Sequence, residues 1–227
     1  LHLCDRRQRQ MCIRDSHRVR IAAAPLLGCT LIPLLAYRFM RRYPEMRVEL
    51  VDLPMSRVQQ AVVDGIRKEW EGQNRPCLIR GVTGSGKTLV YMELMERVLK
   101  EGKQVIVLIP EIALTYQTVR RFYARFGDKV SVINSRQSQG ERYDQFKRAK
   151  KGEVQVMIGP RSALFTPFAS LGLIIIDEEH ESSYKSESTP RYHARETAIR
   201  RAVLEHANVV MGSATPSVEA YSKAMNG

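Results

Sequence analysis

The chain is poor in the residues that staple small secreted folds. Its four cysteines, at positions 4, 12, 29 and 77, form no CxxC pair and no cluster with histidine. That leaves neither a zinc site nor a disulfide framework legible and fits a reducing, cytoplasmic setting. Cys77 lies in an apolar run and is expected to be buried and reduced. No apolar run reaches the ~18 residues that a membrane helix needs, so no membrane partner is expected. The opening LHLCDRRQRQMCIRDS has charges scattered through its apolar content and no small-residue cleavage site, so it is not expected to be a secretory signal. No internal repeat and no low-complexity tract occurs. Acidic charge is also scarce: 24 Asp and Glu face 36 Lys and Arg, a net charge of +12. Such an excess favours anionic partners, nucleic acid foremost, because Lys and Arg replace condensed counterions. The plainer reading is a solvated basic surface.

What is present is an ordinary globular composition, 44% apolar over 227 residues, enough for one α/β domain or two small ones. Residues 1–16 show neither helical nor strand period. They are expected to be disordered or non-native, since they resemble the translated end of a sequencing adapter. From Val19 the pattern reads strand (VRIAAAP), helix (LIPLLAYRFMRRYPEM), strand (RVELVDL) and then the helix SRVQQAVVDGI with Ser56 as its N-cap. Further on, strands and helices alternate: PCLIRG, then KTLVYMELMERVLKEG, QVIVLIP, LTYQTVRRFYARFG, VSVIN, GERYDQFKRAKKG, VQVMIG, LGLIIID, RETAIRRAVLEHA and NVVMGSA. The strands are short and continuously apolar, as when helices cover both faces of a sheet. This predicts an α/β fold with a doubly wound, mainly parallel sheet.

GVTGSGKT (Gly81–Thr88) fits G-x-x-x-x-G-K-[ST] between a predicted strand and a predicted helix. Backbone N–H groups must converge on phosphate oxygens there, and Cβ atoms would obstruct them. Gly81, Gly84 and Gly86 remove those atoms, with Thr83 and Ser85 completing the loop. The helix N-terminus adds partial positive charge. Lys87 is placed for the β- and γ-phosphates of ATP, and the Thr88 hydroxyl for Mg²⁺.

LIIIDEEH ends a hydrophobic strand in acids, at the crevice where α/β ligands bind. Asp177 would hold Mg²⁺ through its water shell and Glu178 would polarise the attacking water. Glu179 and His180 could couple the site to neighbouring segments. GSATPS follows another strand; Ser213 and Thr215 are candidates to sense loss of the γ-phosphate, although a Ser/Thr turn is the bland alternative. ESSYKSESTPRYHARE mixes Tyr184, Tyr192 and His193 with Lys185, Arg191 and Arg195, a pattern suited to stacking on single-stranded bases and following a backbone. Arg161 and Ser162 in GPRSALF and Thr115 in PEIALT are candidate phosphate contacts. Lys147, Arg148, Lys150 and Lys151 read as a solvated helix face.

The order phosphate loop, DEEH, SAT resembles that of superfamily 2 helicases. LIPEIALTYQ, GPRSALFTPF, DEEHESSYKSESTPRYHARETA and GSATPS together resemble the PriA-type family of replication-restart helicases, over about residues 66–227, with PRYHARE the most specific part. The resemblance implies a RecA-like ATP-binding lobe of an ATP-driven 3′→5′ DNA helicase that acts at stalled forks. It implies single-stranded and forked DNA, the primosome and single-strand-binding proteins as partners, and a cytoplasmic, nucleoid-associated location in bacteria. It also implies an aromatic-rich loop after DEEH that reports DNA occupancy. The family's second lobe, arginine finger and cysteine-rich zinc insertion are expected to be missing from this chain, and negligible unwinding is expected of it alone.

Residues 17–65 depart from that family. VRIAAAPLLGCTLIPLLAYRFMRRYPEMRVELVDLPMSRVQQAVVDG resembles the opening of a LysR-type regulator effector domain, with the join expected near VVDGI and a chimera as the implication. The alternative assigns MSRVQQAVVDGI to the helicase part, with Gln59 or Gln60 contacting adenine. Val58 stands where that family has Glu.

Overall fold

The computed structural model describes residues 18–23, 47–52, 55–72, 75–82, 84–187 and 189–226, with side chains from residue 55 onward. The tail 1–16, the helix expected over 31–46, and Thr83 lie outside the described residues. The chain divides into two units, 1–55 and 56–227. In the first, β1 (Arg18–Ala23) and β2 (Arg47–Asp52) pair in parallel, Arg18 opposite Arg47 through Ala23 opposite Asp52.

The second unit begins earlier than residue 66. Its first element, α1 (Arg57–Gly72), buries Val63 and Ile66 and packs on α2 (Lys87–Lys100). Ser56 caps α1 as the sequence predicts: its Oγ accepts from Gln59 N at 3.2 Å while its own N donates to Gln59 Oε1 at 3.0 Å. Two otherwise orphaned donors are thereby satisfied reciprocally.

A six-stranded, all-parallel sheet organises the rest. It comprises β3 (Cys77–Arg80), β4 (Gln104–Leu108), β5 (Val130–Val132), β6 (Val156–Gly159), β7 (Leu171–Asp177) and β8 (Asn208–Ser213), in the spatial order β3-β8-β7-β4-β6-β5. Side chains alternate between the faces. Ile106, Leu108, Ile174, Ile176, Val209 and Met211 join one buried cluster with α5 (Ala194–Glu205) and with Ala149 of α4 (Gln139–Lys150). Val105, Val107, Leu173, Ile175 and Val210 are equally buried on the alternate positions, and α2 packs on β4 and β7. Both faces are covered, which is why these strands carry unbroken apolar runs.

Helix boundaries follow local chemistry. α3 (Tyr116–Phe126) starts at Thr115, whose Oγ1 accepts from Thr118 N at 3.3 Å. α4 starts in a capping box between Ser138 and Glu141. α6 (Val218–Asn226), not foreseen from the sequence, starts at Ser217, whose Oγ accepts from Ala220 N at 3.2 Å. Cys77 is only half-buried, yet burial pushes its thiol up to about 11, so it remains protonated at neutral pH.

Candidate nucleotide site

Three strand ends of the parallel sheet supply the candidate site: the turn after β3, the acids at the end of β7 and the SAT segment after β8. The turn between β3 and α2 is built around glycine. Gly84 and Gly86 have φ of 81° and 88°, in the left-handed region, where a Cβ is penalised by roughly 1–2 kcal/mol. A Cβ at Gly86 would also displace the end of the Gln59 side chain, since it would lie 2.0 Å from the amide nitrogen Nε2. That amide donates to Ser85 O at 3.1 Å and ties the start of α1 to the loop. Gln60 instead bonds Asp64 within its own helix. Gly86 is the N-cap of α2 and offers no side-chain cap, so the helix presents its first N–H groups and dipole to an anion.

Lys87, in the first turn of α2, donates to Gly81 O at 2.7 Å and lies 3.7 Å from Glu178 Oε1. The sheet thus brings the loop lysine and the acidic box together across the position of β8. Glu178 has φ 47°, a left-handed conformation that non-glycine residues rarely hold and that marks the end of β7 as a strained turn. Asp177 closes β7 and accepts from the Tyr91 hydroxyl at 3.0 Å. Burial pushes its carboxyl above the usual carboxylate range; the Tyr91 hydrogen bond and the Lys87 charge oppose that, and the Glu178 charge adds to it. A cation beside it would relieve the same burden.

A nucleotide with Mg²⁺ fits these residues. The cradle is backbone and glycine, the helix end carries free donors, and the acids supply hard oxygen ligands of the kind Mg²⁺ takes in small number beside phosphates. Gly81, Gly84, Ser85, Gly86 and Lys87 would hold the phosphates, and Thr88 and Asp177 the ion. Among the described residues, no group of three or more His, Cys, Asp and Glu side chains is placed to hold a metal by itself.

The other two acidic-box residues reach sideways. Glu179 is buried; its Oε1 accepts from Ser217 N at 2.6 Å and its Oε2 from Arg195 Nη1 at 3.1 Å and Ser217 Oγ at 3.1 Å. Arg195 Nη1 also bonds Ser217 Oγ at 2.7 Å. His180 Nδ1 lies 2.7 Å from Ser213 Oγ, which accepts from Thr215 N at 3.0 Å. The box is therefore wired to the SAT segment through the side chains of Glu179 and His180 and through Glu179 N, which donates to Gly212 O at 3.1 Å.

The segment after the box corrects several expectations. Tyr184 cannot stack on a base: it is 1% exposed, and its hydroxyl lies 3.0 Å from Leu108 O and 2.7 Å from Asp177 O, under the ends of β4 and β7. Arg195 is not a free backbone contact, because it is buried in the pair with Glu179. Arg161 is spent on the segment itself, donating to Ser183 O at 2.8 Å and Lys185 O at 2.9 Å. His193 is the N-cap of α5, its Nδ1 accepting from Arg195 N at 3.2 Å. Tyr192 is half-buried and meets Phe165 edge-on, with centroids 5.3 Å apart. Lys185, Arg191, Thr115 and Thr215 are exposed and Ser162 is half-buried, while Ser213 is fully buried. Tyr91 went unrecognised in the sequence. Its signal was a hydroxyl on the buried face of α2, one turn after Lys87.

Residues 56–224 match the DEAD/DEAH box helicase family. Among curated proteins, the replication restart protein PriA of Bacillus subtilis (strain 168) is 51% identical over 176 residues, covering 77% of this chain and 22% of that protein. PriA of Chlamydia pneumoniae is 48% identical over 171 residues, covering 74% and 23%. The chain spans about a fifth to a quarter of the length of these relatives. Among solved structures, the Pyrococcus furiosus Hef helicase domain superposes with a TM-score of 0.52 at 22% identity, covering 74% of this chain and 35% of that one. RecG bound to a three-way DNA junction gives 0.55 at 22% identity, covering 85% and 24%. At that identity the two structures speak for the fold alone.

Proposed function

Because the chain belongs to the DEAD/DEAH box helicase family, we propose that residues 56–227 are the ATP-binding lobe of a replication-restart DNA helicase. The observation that carries this reading is the meeting of Lys87 with Glu178 at 3.7 Å beside a glycine-built helix start. Lys87 and the loop N–H groups would bind the β- and γ-phosphates of ATP. Thr88 and Asp177 would hold Mg²⁺, which when bound screens phosphate charge. Glu178 would orient the attacking water, and positioning with electrostatics is most of what phosphoryl transfer asks. Gln59, whose side-chain amide donates to Ser85 O, would contact the adenine. His180 and Ser213 would carry the state of the site to the SAT segment.

Single-stranded DNA is the proposed track. Thr115, Ser162, Lys185, Arg191 and Thr215 are the side chains offered to its backbone, with Tyr192 the remaining stacking candidate. Forked DNA, the primosome and single-strand-binding proteins follow from the likeness to PriA, as does a bacterial, nucleoid-associated location. The LysR-type fragment expected over residues 17–65 is cut back to 17–55, because the helicase family match begins at residue 56, and its junction with the lobe stays a proposal. A continuous reading frame across the join in genomic DNA would refute that.

The test of the main reading is titration of the chain with a fluorescent ATP analogue and Mg²⁺. Lys87→Ala should weaken binding at least tenfold while leaving the melting temperature within a few degrees. Equal affinity of wild type and variant would overturn the assignment.

A further inference from the structure

Asp177 is held from two directions by tyrosine. Tyr184 donates to its main-chain oxygen at 2.7 Å, and Tyr91 donates to Oδ1 of its carboxylate at 3.0 Å. Tyr91 sits on α2 one helical turn beyond Lys87, so the two side chains share a helix face. Its ring is 1% exposed and is held from the β8 side: a Cβ on Gly212 would fall 1.6 Å from the Tyr91 hydroxyl and 2.8 Å from its Cζ. The glycine of GSATPS thus makes room for a phenol that reaches from the phosphate-loop helix to the acidic box. Phenylalanine would fill the same space without a polar atom to bury, and burying an unmade hydroxyl costs free energy. Packing alone therefore gives no reason for tyrosine here.

We infer that Tyr91 is a positioning residue for Asp177: it holds one carboxylate oxygen and so fixes which oxygen is offered to Mg²⁺ or its water. The inference rests on the nucleotide-site reading above and deepens it. The arrangement couples α2 to β7 through a single hydrogen bond, so the lysine that meets phosphate and the acid that meets the ion are indexed to one another. Outer-shell partners of this kind typically change metal affinity by about 10–100-fold when removed.

The experiment is a titration of the 227-residue chain with Mg²⁺ at fixed fluorescent ATP analogue, for wild type, Tyr91→Phe and Gly212→Ala. Affinity for the analogue in EDTA is measured alongside. Tyr91→Phe should raise the Mg²⁺ half-saturation about tenfold, with the EDTA affinity and the far-UV spectrum unchanged. Gly212→Ala, which displaces the hydroxyl from the β8 side, should raise it as well. A wild-type half-saturation in a folded Tyr91→Phe overturns the inference. So does a Tyr91→Phe chain that fails to fold, because the hydroxyl would then serve stability rather than the carboxylate. Failure of wild type to bind the analogue at all is a separate result: it removes the nucleotide site itself, and this inference falls with it.

Discussion

Arg195→Met should destabilise the second unit by about 3–5 kcal/mol, the range for removing one partner of a buried ion pair. The Glu179 side chain is 0% exposed and that of Arg195 10%, so solvent screens the pair little. With the guanidinium gone, the side-chain partners left to Glu179 among the described residues are Ser217 N and Ser217 Oγ, neither of which neutralises its buried charge. The unit spans residues 56–227. For domains of that size 1 kcal/mol shifts the melting temperature by roughly 2–4 °C, so a fall of roughly 6–20 °C is expected. Urea unfolding followed by circular dichroism measures the free energy directly. Glu179→Gln should cost about 1–3 kcal/mol, because an amide keeps hydrogen-bonding capacity toward Ser217. The pair Glu179→Met with Arg195→Met should be less damaging than the sum of the two single changes, since joint replacement of a buried pair by apolar groups is often near neutral. Arg195→Met within about 1 kcal/mol of wild type, or strict additivity in the double variant, would refute the argument that this pair is desolvated and mutually dependent.

Two other outcomes follow from the same geometry. Gly86→Ala puts a Cβ 2.0 Å from Gln59 Nε2 in a backbone at φ 88°, where the dihedral alone costs roughly 1–2 kcal/mol; affinity for the ATP analogue should fall at least tenfold, and an unchanged affinity would count against the glycine cradle. His193 is held below the usual imidazole value, first by burial and then by the Arg195 charge, against Glu196, Glu179 and Glu219. The unfolded chain therefore takes up the proton first. The stability lent by the neutral cap is complete above about pH 6.5 and is lost as pH falls through the lower folded value. His193→Asn keeps a capping oxygen that does not titrate, so its stability should vary less than that of wild type between pH 7 and 5, and an unchanged slope would count against the cap.

Much of the site was legible because its chemistry is local. The turn from β3 to α2 needs glycine at two left-handed positions, 84 and 86, and a lysine directly after the second, and all of this lies within eight consecutive letters. The acids of DEEH follow an apolar run whose length already marks a buried strand. The segment from Glu181 to Arg195 was read less well. Its tyrosines and arginines carry no periodicity, and their types suit a nucleic-acid surface as readily as a buried polar junction. Tyr184 and Arg195 turned inward because Leu108 O, Asp177 O and Glu179 needed partners, and those acceptors lie on other strands or are distant in sequence.

The one-dimensional pattern by itself determined the alternation of strands and helices from β3 to β8, the parallel sheet covered on both faces, the glycine cradle and the acids that face it. Apolar runs and steric exceptions act over a few residues, so they can be read without knowing where the chain goes next. The tertiary structure alone decided the strand order β3-β8-β7-β4-β6-β5 and, through it, which polar side chains are sealed and which are offered to solvent. Burial and partnering are set by strand ends far apart in sequence. No local spacing could reveal that Tyr91 reaches Asp177 over a missing Cβ at Gly212, or that Arg195 closes on Glu179.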